Sequence, residues 1–116
     1  MFPVPTDVEH LFFQVQKDNL YVKLIEQINK DFNLANEGID FPLSISPADL
    51  KIQLHEKVYR MIQHKFLEYL NLLYIIDVSE SEIKKLDGSD VVVLAEQVSF
   101  LILKREWMKV WFRNRY

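Results

Sequence analysis

The residues able to carry acid–base, nucleophilic or metal chemistry are few and scattered along this 116-residue sequence. The sequence has three histidines, His10, His55 and His64, and no Glu lies three residues before any of them. The Glu-x-x-His motif of carboxylate-bridged metal sites is therefore missing. There is no cysteine, and the two glycines, Gly38 and Gly88, stand too far apart for a glycine-rich phosphate loop. We therefore predict no catalytic residue, no metal site and no cofactor.

Two side chains support an alternative, an enzyme or small-ligand binder with a pocket near His55 and Glu96. Glu96 lies inside a dominantly apolar helical run, where burial would raise its pKa and make it a candidate acid or base. It also shares one direction of the helical wheel with Asn114 and is equally compatible with facing solvent. His55 falls on the apolar face of its helix, where an imidazole satisfied by one hydrogen bond is the simpler interpretation.

Charge is distributed unevenly along the chain. Residues 1–100 hold 9 Lys and Arg against 16 Asp and Glu, a balance of −7, whereas residues 101–116 hold 5 cations against Glu106, a balance of +4. A cationic helix end can contact phosphates, so a nucleic-acid-binding protein is the first alternative function. The phosphate contacts would then be Lys104, Lys109, Arg113 and Arg115. We favour the simpler expectation that these cations complement the helix dipole and pair with the chain's own acidic residues.

The basic segment Leu103–Arg115 resembles the recognition helix of homeodomains, whose signature Trp-Phe-x-Asn-Arg matches residues 111–115. In that family the Trp and Phe belong to the core and the Asn reads an adenine, a role that the resemblance assigns to Asn114. It likewise makes Arg113 the variable specificity position and Arg115 a conserved basic neighbour. The resemblance covers 13 of 116 residues, and the other residues show no match to that family. We therefore assign the chain to no family.

The element that must position the basic residues is a long helix, predicted over about residues 89–116. From Asp90 to Tyr116 the sequence contains neither Gly nor Pro, and its apolar residues form two nearly opposite stripes on a helical wheel. One stripe gathers Val91, Leu94, Val98, Leu101, Ile102, Met108 and Phe112. The other gathers Val92, Phe100, Leu103, Trp107, Val110 and Trp111. Because both sides need cover, we predict that this helix is the centre of a helical bundle.

A second long helix is predicted over about residues 47–77. Ser46-Pro47-Ala48-Asp49 supplies a cap hydroxyl, a proline at the first position and a carboxylate in the first turn. Toward its end Leu67 and Tyr74 make the helix apolar nearly all round, which predicts its most deeply packed part. After it, Ser79-Glu80-Ser81-Glu82 matches a capping box and predicts a short helix.

The second stripe of the last helix needs cover, either from the short helices and residues 39–45 of the same chain or from another copy of the chain. The N-terminal segment is helical and breaks near residues 17–19, where the apolar stripe changes direction, with Asp18 or Asn19 capping its second part. Residues 39–45 alternate apolar and polar side chains, but Pro42 disfavours a central strand. We therefore predict an extended loop lying on the core.

Taken together, these patterns predict an all-α fold, a small helical bundle forming a single domain over residues 1–116. No apolar run is long enough to span a membrane, and no signal-peptide pattern is present, so a cytoplasmic location is expected.

The predicted function is a small non-enzymatic interaction or oligomerisation module. If no other part of the chain covered the second stripe of the last helix, its size would make it an association site. We therefore expect a homodimer, with another protein as the alternative partner and with neither nucleic acid nor membrane as the main one. The predicted interaction surface consists of Phe100, Leu103, Trp107 and Trp111.

Overall fold

Six helices make up most of residues 1–115, the part of the chain that the computed structural model describes. In chain order they are α1 (Val8–Lys17), α2 (Tyr21–Leu34), α3 (Pro47–His64), α4 (Phe66–Ile76), α5 (Glu80–Lys84) and α6 (Val91–Arg113). No residue between 1 and 115 belongs to a β-strand. The prediction of an all-α helical bundle is confirmed.

The final helix, α6, packs against α1, α2, α3 and α4 and occupies the centre of the bundle. It begins after Asp90, whose carboxylate accepts hydrogen bonds from the backbone N–H groups of Val92 at 2.9 Å and Val93 at 3.2 Å. These bonds satisfy donors that have no partner inside the helix. The helix continues without interruption for 23 residues, and Asn114 closes it. Tyr116, the last residue of the predicted helix, lies outside the described residues.

Other parts of the same chain cover the second apolar stripe of α6. The indole N–H of Trp107 donates to the side-chain oxygen of Gln14 in α1 at 2.9 Å. Phe2 packs edge-on against Trp107 and Trp111, with ring centres 6.4 and 5.7 Å apart. The N-terminal residues and α1 therefore provide this cover from within the chain, one of the two sources that the sequence left open.

The single helix predicted over residues 47–77 is wrong, because the structure divides it at Lys65 into α3 and α4. Lys65 has φ −140° and ψ 55°, outside the helical region. Its ammonium group lies 2.8 Å from a carboxylate oxygen of Glu37, a buried residue that follows α2. No Gly or Pro marks this break in the sequence; it accompanies an ion pair to a residue 28 positions away.

The prediction that the end of this segment is its most deeply packed part is also wrong. One side of α4 faces the core through Tyr69, Leu72, Leu73 and Ile76. The other side is exposed and carries Phe66, Leu67, Leu70 and Tyr74. A nearly all-apolar helix does not reveal from its pattern alone which side is covered.

The break in the N-terminal helical segment is confirmed, although its predicted caps are not. α1 ends at Lys17 and α2 begins at Tyr21, with Asn19 between them at φ 57°. The residue before α2 is Leu20, which supplies no side-chain cap. Asp18 instead ends α1, and its carboxylate lies 3.2 Å from the guanidinium of Arg115.

The two predicted helix starts within the middle of the chain differ in outcome. The Ser46 hydroxyl accepts a hydrogen bond from the backbone N–H of Asp49 at 3.1 Å, as predicted. Ser79 precedes α5 but makes no cap hydrogen bond, and its hydroxyl lies 2.9 Å from that of Ser81. The predicted capping box at α5 is therefore wrong.

Residues 39–45 form the predicted covering loop. Ile39, Phe41 and Ile45 are buried, whereas Leu43 departs from the alternation and is half exposed. The side-chain amide of Asn29 in α2 donates to the backbone oxygen of Phe41 at 3.0 Å and accepts from its N–H at 2.9 Å. One side chain thus satisfies both backbone polar groups of Phe41, a residue that has no β-sheet partner.

Replacing Asn29 with Ala should lower the free energy of unfolding by about 1–3 kcal/mol, because the backbone N–H and C=O of Phe41 both lose their hydrogen-bond partner. This loss should outweigh the higher helix propensity of Ala. Urea denaturation followed by circular dichroism measures the change. Gln53→Ala, which removes an exposed amide from α3, is the control and should stay within about 0.5 kcal/mol of the parent. An Asn29→Ala protein as stable as the control would contradict this role.

Candidate functional site

The aromatic side of α6, predicted as the interaction surface, lies inside the bundle. Leu103, Trp107 and Trp111 are buried, and Phe100 is partly buried. Phe2 and α1 occupy the position that the prediction gave to a partner. Contact of a partner with these residues would require Phe2 and α1 to move away, because the chain itself covers them.

The four cations predicted to contact phosphate all have partners within the chain. The pairs are Lys104 with Glu82 at 2.9 Å, Lys109 with Asp31 at 2.8 Å, Arg113 with the side-chain oxygen of Gln27 at 2.7 Å, and Arg115 with Asp18 at 3.2 Å. Arg115 also stacks over the Trp111 ring, 4.2 Å from its centre. Asn114, aligned with the adenine-reading residue of homeodomains, donates to the backbone oxygen of Val110. Lys104, Lys109 and Arg115 are therefore paired with carboxylates of the chain, whereas the partner of the exposed Arg113 is a neutral amide.

A small cavity of about 200 Å³ lies beside His55 and Glu96, where the second alternative placed a pocket. A second recess of about 310 Å³ shares Val8, Lys51 and Glu96 with it. These volumes reach only the lower end of the roughly 300–1,000 Å³ typical of small-molecule sites. The His55 ring donates from Nε2 to the backbone oxygen of Val92 at 3.1 Å, which matches the one-hydrogen-bond interpretation. Glu96 is exposed and therefore lacks the burial that its proposed acid–base role required.

A buried cluster of charged groups, which the sequence analysis missed, joins α2 to α6. Glu106 has 0% of its surface exposed, and Asp31 is also buried. The ammonium of Lys109 lies 2.8 Å from an Asp31 oxygen and 3.2 Å from a Glu106 oxygen. The amide of Gln27 donates to the same Asp31 oxygen at 3.1 Å. Two carboxyl groups thus share one ammonium group in the interior.

Burial determines the protonation of this pair. Removal from water, together with the hydrogen bond to Asp31 and the charge on it, raises the pKa of Glu106 to about 9. Burial alone would also raise the pKa of Asp31, but hydrogen bonds from Glu106, Lys109 and Gln27 outweigh it and lower that pKa. The raised pKa keeps Glu106 a neutral acid beside Asp31 at neutral pH. Because Glu106 has no exposed surface, no substrate reaches its carboxyl group in this conformation.

The sequence contained a signal for Glu106 that the helical-wheel analysis did not use. Glu106 lies three residues after Leu103 and four before Val110, both members of the second apolar stripe, so it belongs to that stripe. A glutamate usually lies on the surface, so the residue type of Glu106 alone indicated an exposed carboxylate. Its neighbour Asp31 lies in another helix, and no local pattern in the sequence pairs the two residues.

The outer side of α4 exposes four large apolar side chains. We define the α4 face as Phe66, Leu67, Leu70 and Tyr74, all of them exposed. Leu67 and Tyr74 have 77% and 83% of their surface in contact with solvent. Beside the C-terminal half of this face, a groove of about 560 Å³ separates α4 from α5. We call it the α4–α5 groove; its apolar walls come from Leu70, Leu73, Tyr74, Val78 and Ile83.

Comparisons with protein-family models, curated proteins and solved structures find no match to this chain. Among residues 1–115, no helix combines the length and the hydropathy needed to cross a membrane. The same residues contain no group of three or more His, Cys, Asp or Glu side chains placed to hold a metal ion.

The raised pKa of Glu106 predicts that stability falls as pH rises. Between pH 4.5, the ordinary pKa of a glutamate, and about 9, the folded protein holds a proton that the unfolded chain has lost. The free energy of unfolding should therefore decrease with pH in this window, by at most about 1.4 kcal/mol per unit. Asp31 has the opposite effect, because its contribution is lost as pH falls below 3.8. Maximum stability is expected near about pH 4–5.

Glu106→Gln should remove this decrease, because a glutamine keeps the size and a donor but does not titrate. Urea denaturation at pH 5, 7 and 9 measures the slope, and the variant should be the more stable protein at pH 9. Glu96→Gln, an exposed change on the same helix, is the matched control and should retain the slope of the parent. Equal slopes for the parent and Glu106→Gln would contradict this account.

Proposed function

We propose that this protein is a small, non-enzymatic helical interaction module that self-associates through the α4 face. The observation that carries the proposal is the exposure of four large apolar side chains on one helix. The limited cavity near His55 and the inaccessible carboxyl group of Glu106 support the non-enzymatic part. The proposal retains the cytoplasmic location expected from the sequence.

The composition of α4 distinguishes it from an ordinary surface helix. Leu67, Leu70 and Tyr74 are spaced by three and four residues and therefore line one side of the helix. Apart from tyrosine hydroxyls, the 11 residues of α4 contain two polar side chains, Glu68 and Asn71. A helix side that remained in water would normally be polar, so this pattern favours a partner.

The area of the α4 face is sufficient for a modest interface. If a fully exposed large side chain presents about 200 Å², its four residues expose roughly 500 Å². Two such faces in contact would bury on the order of 1,000 Å², which is near the lower limit for specific interfaces. The walls of the adjoining groove add to this area.

A second copy of the chain is the occupant that this face fits best. An interface with two-fold symmetry places the same patch of each copy in contact, so the patch must complement itself. An apolar face does so without bringing like charges together. Glu68, the one acidic residue of α4, lies beside the α4 face rather than being a member of it.

Leu67→Glu should convert the protein to a monomer, because the substitution places two carboxylates in an apolar contact. We expect the dissociation constant to increase at least about 100-fold. Size exclusion with light scattering and sedimentation velocity at about 10–100 µM measure the mass. Phe13→Glu, a change at a 62%-exposed aromatic residue of α1, is the matched control and should remain dimeric. A parent chain that is monomeric throughout this range would overturn the proposed self-association.

A further inference from the structure

We infer that Lys65 is a hinge at which α3 and α4 join into one straight helix, and that two copies of the chain then exchange their C-terminal halves. In the exchanged dimer, α1, α2 and α3 of one copy pack against α4, α5 and α6 of the other. This exchange is separate from the proposed self-association, because it depends on the backbone at Lys65 and not on the α4 face.

The break at Lys65 interrupts the helical hydrogen bonds of the backbone. The N–H of Lys65 donates to the oxygen of Met61 at 2.8 Å, and the oxygen of Lys65 accepts from the N–H of Tyr69 at 2.9 Å. Within residues 1–115, three successive N–H groups at the start of α4 have no hydrogen-bond acceptor, those of Phe66, Leu67 and Glu68. In a continuous helix each of these groups would donate to the backbone oxygen four residues earlier.

The local sequence favours the continuous helix. Residues 60–70 contain neither Gly nor Pro, and most of them are good helix formers. α4 also begins without a side-chain cap, so no local interaction compensates for the helix end at Lys65. Contacts with distant parts of the chain must therefore hold the bent form.

One of these distant contacts is the ion pair between Lys65 and Glu37. The ammonium group of Lys65 lies 2.8 and 3.1 Å from the two carboxylate oxygens of Glu37. The Lys65 side chain is half exposed, so water solvates it when the pair opens. Glu37 is buried, but the ammonium group of Lys57 also lies 3.4 Å from one of its oxygens. The pair with Lys65 therefore opens without leaving a buried carboxylate unpaired.

The other distant contacts are those of α4 and α6 with the N-terminal half, and they identify the partner. A single chain that straightened at Lys65 would expose the buried side of α4, which consists of Tyr69, Leu72, Leu73 and Ile76. A second copy removes this cost. The contacts of α6 with α1, α2 and α3, and those of α4 with α2, then form between the two chains. Exchange keeps this packing and adds helical hydrogen bonds, while association of two chains makes it dependent on protein concentration.

Lys65→Ala and Lys65→Gly form a matched pair, because both substitutions remove the ammonium group. Alanine favours a helical hinge over glycine by about 5-fold, and the exchanged dimer contains two hinges. The dimerisation constant of Lys65→Ala should therefore be about 30-fold larger than that of Lys65→Gly. Both proteins are unfolded in urea and refolded at low and high concentration. Light scattering after size exclusion measures the dimer fraction, and circular dichroism confirms folding.

A cross-link across the hinge distinguishes exchange from association of intact subunits. The exposed side chains of Asp18, before the hinge, and Arg115, after it, lie 3.2 Å apart. The chain has no cysteine, so cysteines at these two positions in Lys65→Ala are the only targets of a short bismaleimide. In an isolated exchanged dimer the reagent joins two chains, and denaturing electrophoresis should show a covalent dimer. Cysteines at Glu82 and Lys104, which pair at 2.9 Å and both follow the hinge, are the control and should give single chains.

The outcomes separate this exchange from the proposed function. A dimer that gives single chains with the Asp18 and Arg115 cysteines would overturn the exchange and leave association through the α4 face intact. Equal dimerisation of Lys65→Ala and Lys65→Gly would also overturn it. If parent and Lys65→Ala are both monomeric at every concentration, exchange and self-association both fail. Should Lys65→Ala not fold, Lys65→Gln, another good helix former, replaces it in both measurements.

Discussion

The requirement to cover both apolar sides of α6 organises the whole molecule. A helix with two opposed apolar stripes is stable in water only when other elements shield both. α1, α2, α3 and α4 surround it, and the N-terminal Phe2 completes the cover over Trp107 and Trp111. The chain satisfies this requirement internally, and four large apolar side chains remain exposed elsewhere, on α4.

The basic end of α6 likewise finds its partners within the same chain. Lys104, Lys109 and Arg115 bind carboxylates of α5, α2 and the α1–α2 connection, so the charge asymmetry along the sequence becomes a set of contacts between distant segments. In the interior this compensation is incomplete, since Lys109 serves both Asp31 and Glu106. A retained proton on Glu106 resolves the excess negative charge, which links the packing of α2 on α6 to pH.

The turn at Lys65 connects the fold to the proposed function. If α3 continued straight through Lys65, the buried and exposed sides of α4 would follow those of α3. With the break, one side of α4 packs on the core, and the other presents Leu67, Leu70 and Tyr74 to solvent next to the α4–α5 groove. The ion pair between Lys65 and the buried Glu37 joins this turn to the end of α2. The surface available for association therefore depends on a contact between residues far apart in sequence.

Local patterns in the sequence determined the all-α class, the helix start at Ser46, a last helix beginning at about residue 89, the break at residues 17–19, and the covering loop. These features depend on periodicity and capping among neighbouring residues. Tertiary structure alone decided which elements cover Trp107, where the α3–α4 segment divides, and which side of α4 is exposed. It also decided that Glu106 is neutral rather than ionised. Each of these outcomes depends on desolvation or contact by residues distant in sequence, such as Gln14, Glu37 and Asp31.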